Sequence, residues 1–454
     1  FRFGVWADGE FSWVFDDEWK RELRYLLDTL ITDVKLVNSR LGLSVACHDM
    51  VAEAENVYLR HLKISDTSGR DREIRVFLHH DFRIYENNVG DTAYYDPATR
   101  SLIHYKKHRY FLIDTLPHFD QFATGRKAFR DMQGTWRDAE DGELHGGPIT
   151  EGSVDSTIAV HATLGASGQF DLYYWIAAGI DHAAVAGINA DVLGRGPQSY
   201  FESGRSHWSG WLARPGADLS EVEGPIADLY RRSLLIARTQ IDNGGAIIAA
   251  NDHDVTERAT DHYSYLWPRD GAFVANAFDV AGYPEISRRF FTLCRNIVHE
   301  RGYFLQKYNP DGTLGSGWHS HWDAAREREL VPIQEDETAL VLWALWEHYS
   351  ISRDDAFARE MYDGLVVKCA DFMAAFRDKE TGLPLPSWNL WEDRRGVHTF
   401  TCATVVAGLR AAANFSLLFD DATLAAKYST AANEIVTAMR KYLFSNELGR
   451  FYRG

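Results

Sequence analysis

With 454 residues and 45% hydrophobic composition, the chain can bury a large core and is too long for one ordinary domain. A formal net charge of −17 disfavours nucleic acid and anionic membranes as partners, because an acidic surface repels both. No apolar run approaches the length of a membrane span, and the 14 tryptophans and 21 tyrosines supply flat rings that suit a large core and the faces of sugars alike.

The first half reads as β-structure. It opens on a strand pattern, "FRFGVWADGEFSWVF", and continues through "LVNSRLGLSVACHDMV" and "VYLRHLKI". Over 74–85, Ile74, Val76, Leu78, Phe82 and Ile84 recur every second residue, which predicts one face of a strand. "DPATRS" (96–101) predicts a turn and "LIHYKKHRYFLI" (102–113) the next strand; 115–135 reads as irregular or weakly helical. "STIAVHATL" and "FDLYYWIAAGI" complete the set. Strands joined by turns predict an antiparallel β-sandwich over 1–203, with 204–220 as a linker.

From about residue 219 the apolar period becomes helical, with helices expected near 219–241, 270–282, 284–300, 335–350, 354–377, 398–419 and 421–444. In "DETALVLWALWEHY", Leu340, Trp343 and Trp346 predict a single apolar stripe. The connections alternate. Those at 282–284, 350–355 and 419–421 are tight; those at 242–269, 301–334 and 378–397 are long and rich in Trp, Gly, Asp and Glu. In an antiparallel helical array this alternation puts the three long loops on one face, and long loops in a compact domain are usually functional.

Each long loop carries chemistry-bearing residues. "DHYSYLWPRDG" brings Arg269 and Asp270 to a helix start; Asp270 reads either as an N-cap or, with Arg269, as a fork that grips vicinal hydroxyls. "GYFLQKYNPDGTLGSGWHSHWD" and "PIQEDETA" follow, with acids crowding a helix start where the dipole favours them. His319 and His321, and "NDHD" at 251–254, have the residue types of metal ligands but no accompanying metal-frame spacing, so no metal is assigned. "SWNLWEDRRG" sets Glu392 beside an indole. Desolvation there would raise its pKa and suit a general acid, whereas pairing of Glu392 and Asp393 with Arg394 and Arg395 would make both surface residues. Cys47, Cys294, Cys369 and Cys402 are far apart and predict buried free thiols in a reducing, cytoplasmic compartment.

Taken in order, "YSYLWPRDG", "GYFLQKYNPDGTLGSGWHSHW", "PIQEDETALVLWALW" and "SWNLWEDR" resemble the motifs of the glucoamylase family of glycoside hydrolases, family 15, in its bacterial and archaeal two-domain branch. "FLHHDFRIYENNVGDTAYYDPATRSLIHYKKHRYFL" is similar to that family's N-terminal sandwich. The resemblance implies a β-sandwich followed by an (α/α)6 barrel, of which 221–454 would supply three helical hairpins and half of another. It implies exo-acting hydrolysis of α-linked glucose from non-reducing ends with inversion, an α-glucan or α-glucoside as substrate, and no cofactor. Inversion uses a protonated acid and a carboxylate base roughly 6.5–9.5 Å apart.

Matched residue by residue, the resemblance makes Glu392 the general acid and Tyr263 a residue that positions the attacking water. Arg269, Asp270, Trp267, Leu390, Trp391, Asp393, Gln334, Asp336 and Trp318 would line the substrate. Asp393 stands where the family commonly has a second Glu. The family's base is a glutamate from the last part of the barrel, which nothing after residue 444 supplies, so no base is assigned and the chain alone is expected to be inactive and poorly stable. The chain starts inside a strand pattern and stops just after a helical one, so both ends read as cuts. A trehalase of the same family, a glycoside phosphorylase of similar architecture and an inactive glycan-binding relative are the alternatives.

Overall fold

The computed structural model describes residues 2–214, 216, 218–251 and 262–454, in two compact units, Phe1–Ala213 and Arg214–Gly454. The NDHD motif lies outside the described residues apart from Asn251.

Two antiparallel sheets form the first unit. One runs in the order Ile149–Gly152, Asp91–Asp96, Ser101–Lys106, Arg109–Leu116, Gln169–Gly179, Val57–Asp66, Leu43–Val51, Thr32–Asn38 and Trp19–Tyr25. The other runs Met132–Gln133, Gln121–Phe129, Val154–Leu164, Arg72–His80, Arg2–Ala7 and Glu10–Trp13. Alternate residues of both sheets, among them Val45, Ile64, Ile74, Val76, Ile113, Ile158 and Leu172, make a shared apolar core, as sandwich packing requires. The four cysteines are buried free thiols.

The structure departs from the sequence reading in four places here. The run 102–113 is a hairpin, not one strand; it turns at Lys107, whose φ is 50°, inside the charged "KKH". The alternation over 74–85 stops at His80, and Ile84–Glu86 is a 3-10 turn. Within 115–135, Gln121–Phe129 is a strand paired to Val154–Leu164; Gly125 and the charges Arg126 and Lys127 disguise its alternation. After the last strand come α1 (His182–Arg195) and α2 (Pro197–Leu212), which sequence reading missed. They pack Val185, Val192, Tyr200 and Phe201 on the larger sheet, and α2 occupies the first half of the segment read as a linker.

The second unit opens with α3 (Gly224–Arg238), and three hairpins follow. They are α4 (Pro268–Val280) with α5 (Pro284–Ile297), α6 (Glu335–Ser352) with α7 and α8 (Asp355–Met361 and Lys368–Ala375, joined by a π-turn), and α9 (Thr399–Leu418) with α10 (Ala422–Tyr442). Among the described residues the helix outside the hairpins thus stands first. Inner helices α4, α6 and α9 lie side by side. The first eight residues of α6, Glu335–Leu342, are all buried, so no single stripe faces the core; Trp343 and Trp346 lie on its less buried side. Helix α9 is long and apolar enough by composition to cross a membrane, contrary to the sequence expectation; it packs between α6, α8 and α10, and that burial accounts for its composition.

Glycine sets the start of the second long loop. Gly302 has φ +87°, and a Cβ there would lie 2.1 Å from the Lys368 carbonyl oxygen, a backbone atom that cannot yield. Gly302→Ala is therefore expected to destabilise the second unit by about 3 kcal/mol, read from urea unfolding; a change below about 1 kcal/mol would mean that the loop is not held there.

Candidate active site

The described parts of the three long loops meet beside the N-termini of α4, α6 and α9. Leu266 and Tyr308 exchange both backbone hydrogen bonds, at 2.8 and 2.9 Å, which joins the first loop to the second. The Trp388 amide donates to the Ile333 carbonyl at 3.0 Å, and the Trp388 ring stacks on His319 at 4.9 Å, which joins the second to the third.

Glu392 sits on a tight turn built around Asn389. Ser387–Trp388 pairs with Arg395–Gly396, the Asn389 amide donates to the Arg394 carbonyl at 2.9 Å, and the Glu392 amide donates to the Asn389 carbonyl at 2.9 Å. The turn forces Glu392 to φ 59°, a left-handed conformation that costs a non-glycine residue roughly 1–2 kcal/mol. Gln334 Nε2 donates to the same Asn389 carbonyl at 2.6 Å, so the start of α6 fixes the turn.

Both carboxyl oxygens of Glu392 accept hydrogen bonds: Oε1 from Trp267 Nε1 at 2.9 Å and Oε2 from Gln306 Nε2 at 2.6 Å. The indole that meets Glu392 thus comes from the first loop. Trp391, its sequence neighbour, is 70% exposed, and Leu390 is half-buried in the same turn. Neither acid of the motif pairs with Arg395; Asp393 alone takes the surface role, with Asn389 Nδ2 at 2.7 Å, Arg453 at 3.3 Å and Arg394 at 3.8 Å.

Pro268 occupies the first turn of α4, where its missing N–H costs nothing. Asp270 is therefore not an N-cap; Trp267 holds that position, and the half-exposed Asp270 carboxylate lies 3.5 Å from Arg269. The Arg269 guanidinium is nearly buried, 3.0 Å from Asp336, 3.0 Å from Glu337 and 3.3 Å from Gln334 Oε1, and its backbone N–H donates to Glu337. Burial opposes the guanidinium charge, and the carboxylates of Glu337, Asp336 and Asp270 outweigh it and raise its pKa.

Glu335, Asp336 and Glu337 are all fully buried, and burial pushes each carboxyl up; Arg269 offsets this only for Asp336 and Glu337. One cation cannot neutralise three such acids. Glu335 has no hydrogen-bond partner for either oxygen among the described residues, and burial and the neighbouring Asp336 both push its pKa well up with no cation to offset them.

Tyr263 and Trp318 are 54% and 55% exposed at the rim, and Tyr263 lies 6.2 Å from Trp267. Burial lowers the His319 pKa to about 4, and His321 is exposed, so the two histidines diverge. Among the described residues no group of three His, Cys, Asp or Glu side chains is placed to hold a metal ion. Sequence reading missed Gln306 and Asn389, and took Glu337 only as one of the acids at a helix start. Gln306 lies inside a motif already singled out, but nothing local marks it as a donor to a residue 86 positions away.

Residues 224–453 match the model of glycosyl hydrolases family 15, just over half of the chain. The chain belongs to that family. An uncharacterized glycosyl hydrolase of Methanocaldococcus jannaschii is 24% identical over 417 residues, covering 90% of this chain and 63% of its own. A glucoamylase of a Clostridium species is 29% identical over 222 residues, covering 47% of this chain and 28% of its own. A bacterial glucoamylase crystallised with acarbose superposes with a TM-score of 0.80 at 18% identity, covering all of this chain and 64% of its own. That match identifies the architecture as a β-sandwich followed by helices of an (α/α)6 barrel. A putative kojibiose phosphorylase from the human microbiome superposes at 0.58 with 10% identity over 99% of this chain and 61% of its own. The chain thus spans less than two thirds of the length of these relatives.

The buried acids give this family 15 chain a pH signature. An unfolded glutamate ionises near its ordinary pKa, whereas folded Glu335 keeps its proton to higher pH. Its contribution is therefore complete below the unfolded pKa, about 4.3, and is lost as pH rises toward the folded one, by at most about 1.4 kcal/mol per pH unit. Glu335→Gln, which mimics the neutral acid, should gain melting temperature relative to the parent between about pH 5 and about pH 8. A gap that stays constant across that range would place the proton elsewhere.

Proposed function

We propose that the protein hydrolyses α-glucosidic bonds at the non-reducing ends of α-glucans or α-glucosides, with inversion, and that Glu392 is the general acid. The observation that carries this reading is the pinned Glu392 carboxyl with an N–H on each oxygen. Proton donation to the leaving glycosidic oxygen leaves negative charge on Glu392. Two preorganised donors take up that charge as it develops, which is stabilisation specific to the transition state.

The remaining residues supply recognition. Asp270, half-exposed and oriented beside Arg269, offers a carboxylate acceptor to sugar hydroxyls. Trp318, Trp391 and Tyr263 offer exposed rings to sugar faces, with Tyr263 also suited to hold the attacking water. Leu390 and Trp267 shape the wall on either side of Glu392. Gln334 and Asp336 are buried against Arg269, so their part is to hold that residue in place rather than to meet the sugar directly. Asp393, tied to Asn389 and Arg453, supports the turn. The second carboxylate of an inverting reaction is assigned to none of these residues.

In the intact protein, Glu392→Gln should lower turnover of maltose at least about a hundredfold with an unchanged circular dichroism spectrum. Near-parental turnover would remove Glu392 from the role. NMR of the fresh product should show β-glucose; release of the α-anomer would sink inversion. The architecture shared with a phosphorylase supports a second reading, in which phosphate replaces water. Phosphate-dependent formation of glucose 1-phosphate would decide for it.

A further inference from the structure

The larger sheet of the first unit ends on Trp19–Tyr25, which pairs with Thr32–Asn38 on one side. Among the described residues nothing hydrogen-bonds to the backbone of Leu23 on the other side. We infer that this edge is a self-association surface, on which two copies of the chain pair antiparallel about a twofold axis with Leu23 opposite Leu23. Leu23 shares a face with Trp19, which is buried in the core between the sheets, yet it is itself 74% exposed. The same leucine of a second copy would cover it.

The backbone admits this pairing. The Leu26 amide donates to the Ile31 carbonyl at 2.9 Å, and Tyr25 lies opposite Thr32. Antiparallel ladders alternate, so Glu22 and Arg24 direct their backbone groups to Thr32–Asn38, and Arg21 and Leu23 turn theirs to the open edge. The Trp19 amide, in the same phase as Arg21 and Leu23, accordingly leaves the sheet and donates to the Asp16 carbonyl at 3.3 Å. Two such edges join only where outward residues face outward residues, which requires the twofold axis to pass through a residue rather than between two.

Charge then selects the residue. Edge strands carry charges that discourage pairing, and an axis through Lys20, Arg21, Glu22 or Arg24 would set that residue against its own copy. An axis through Leu23 instead sets Glu22 opposite Arg24 of the second copy, twice. Within the chain Glu22 lies opposite Lys35 and Arg24 opposite Asp33, and Arg24 Nη2 is 3.0 Å from Glu22. Each row across the seam then reads Lys35, Glu22, Arg24, Asp33, alternating in sign from one copy into the other. The side chains of Glu22 and Arg24 are both exposed, so each can meet the second copy.

The test reads association alone and does not depend on the hydrolase reading. The seam is short, so sedimentation velocity of the intact protein should show a monomer–dimer equilibrium with a Kd of about 10–100 μM. Glu22→Arg and Arg24→Glu should each weaken it at least about tenfold, because each sets like charges face to face in both rows. An equimolar mixture of the two variants, one of them fluorescently labelled, should associate within about threefold of the parent, since the mixed seam again sets acid against base in both rows. A parent that stays monomeric at about 300 μM overturns the proposal. So do single variants that associate like the parent, or a mixture that stays as weak as its components.

Discussion

A single buried guanidinium organises this half of the molecule. Arg269 lies in the first turn of α4, and its charge, its backbone N–H and its Nη1 all meet the first turn of α6. Each acid alone would be costly to bury, and so would the arginine; together they are tolerable only in this geometry. Two inner helices are thereby fixed by their N-termini, the ends from which the long loops enter. Gln334 extends the constraint, accepting from Arg269 with its oxygen and donating to the Asn389 carbonyl with its nitrogen. The acid-bearing turn is thus tied to the start of α6 as well as to its own flanks.

That tie explains how the turn sustains a left-handed glutamate. Asn389 accepts on its carbonyl from the Glu392 amide and Gln334, while its side chain meets Asp393 and the amides of Asp393 and Arg394. One residue satisfies most of the polar groups of the loop, so the strain at Glu392 is overdetermined by its surroundings. The result is a carboxyl whose direction is set by backbone before any side-chain packing is considered.

Periodicity made the helical half legible almost element by element, because its helices alternate with tight and long links. Much of the sandwich was legible for the same reason, and its errors were physical. Lys107 turns inside a stretch that alternates correctly on both sides, and Gln121–Phe129 hides its period behind Gly125 and two basic residues. Helices α1 and α2 were missed because "SYFESGRSHWSGWL" and its neighbour carry few strong apolar anchors and sit against a sheet rather than within a bundle. At the site, the motifs marked the loops that the structure brings together. They could not show what surrounds Glu392, since Trp267 and Gln306 reach it across 125 and 86 residues. The indole adjacent in sequence turned out to face solvent, and the relevant one came from another loop.

The environment of Glu392 bears on which chemistry it suits. An acid enclosed only by apolar rings would hold its proton but gain nothing on releasing it. An acid with a donor on each oxygen is rewarded as charge appears, and the reward is largest when the donors cannot move away. Trp267 follows Leu266, whose backbone pairs with Tyr308, and Gln306 stands two residues before Tyr308 in the same segment. On the reading proposed above, the donors held at both oxygens of Glu392 suit a group that gives up a proton during a reaction.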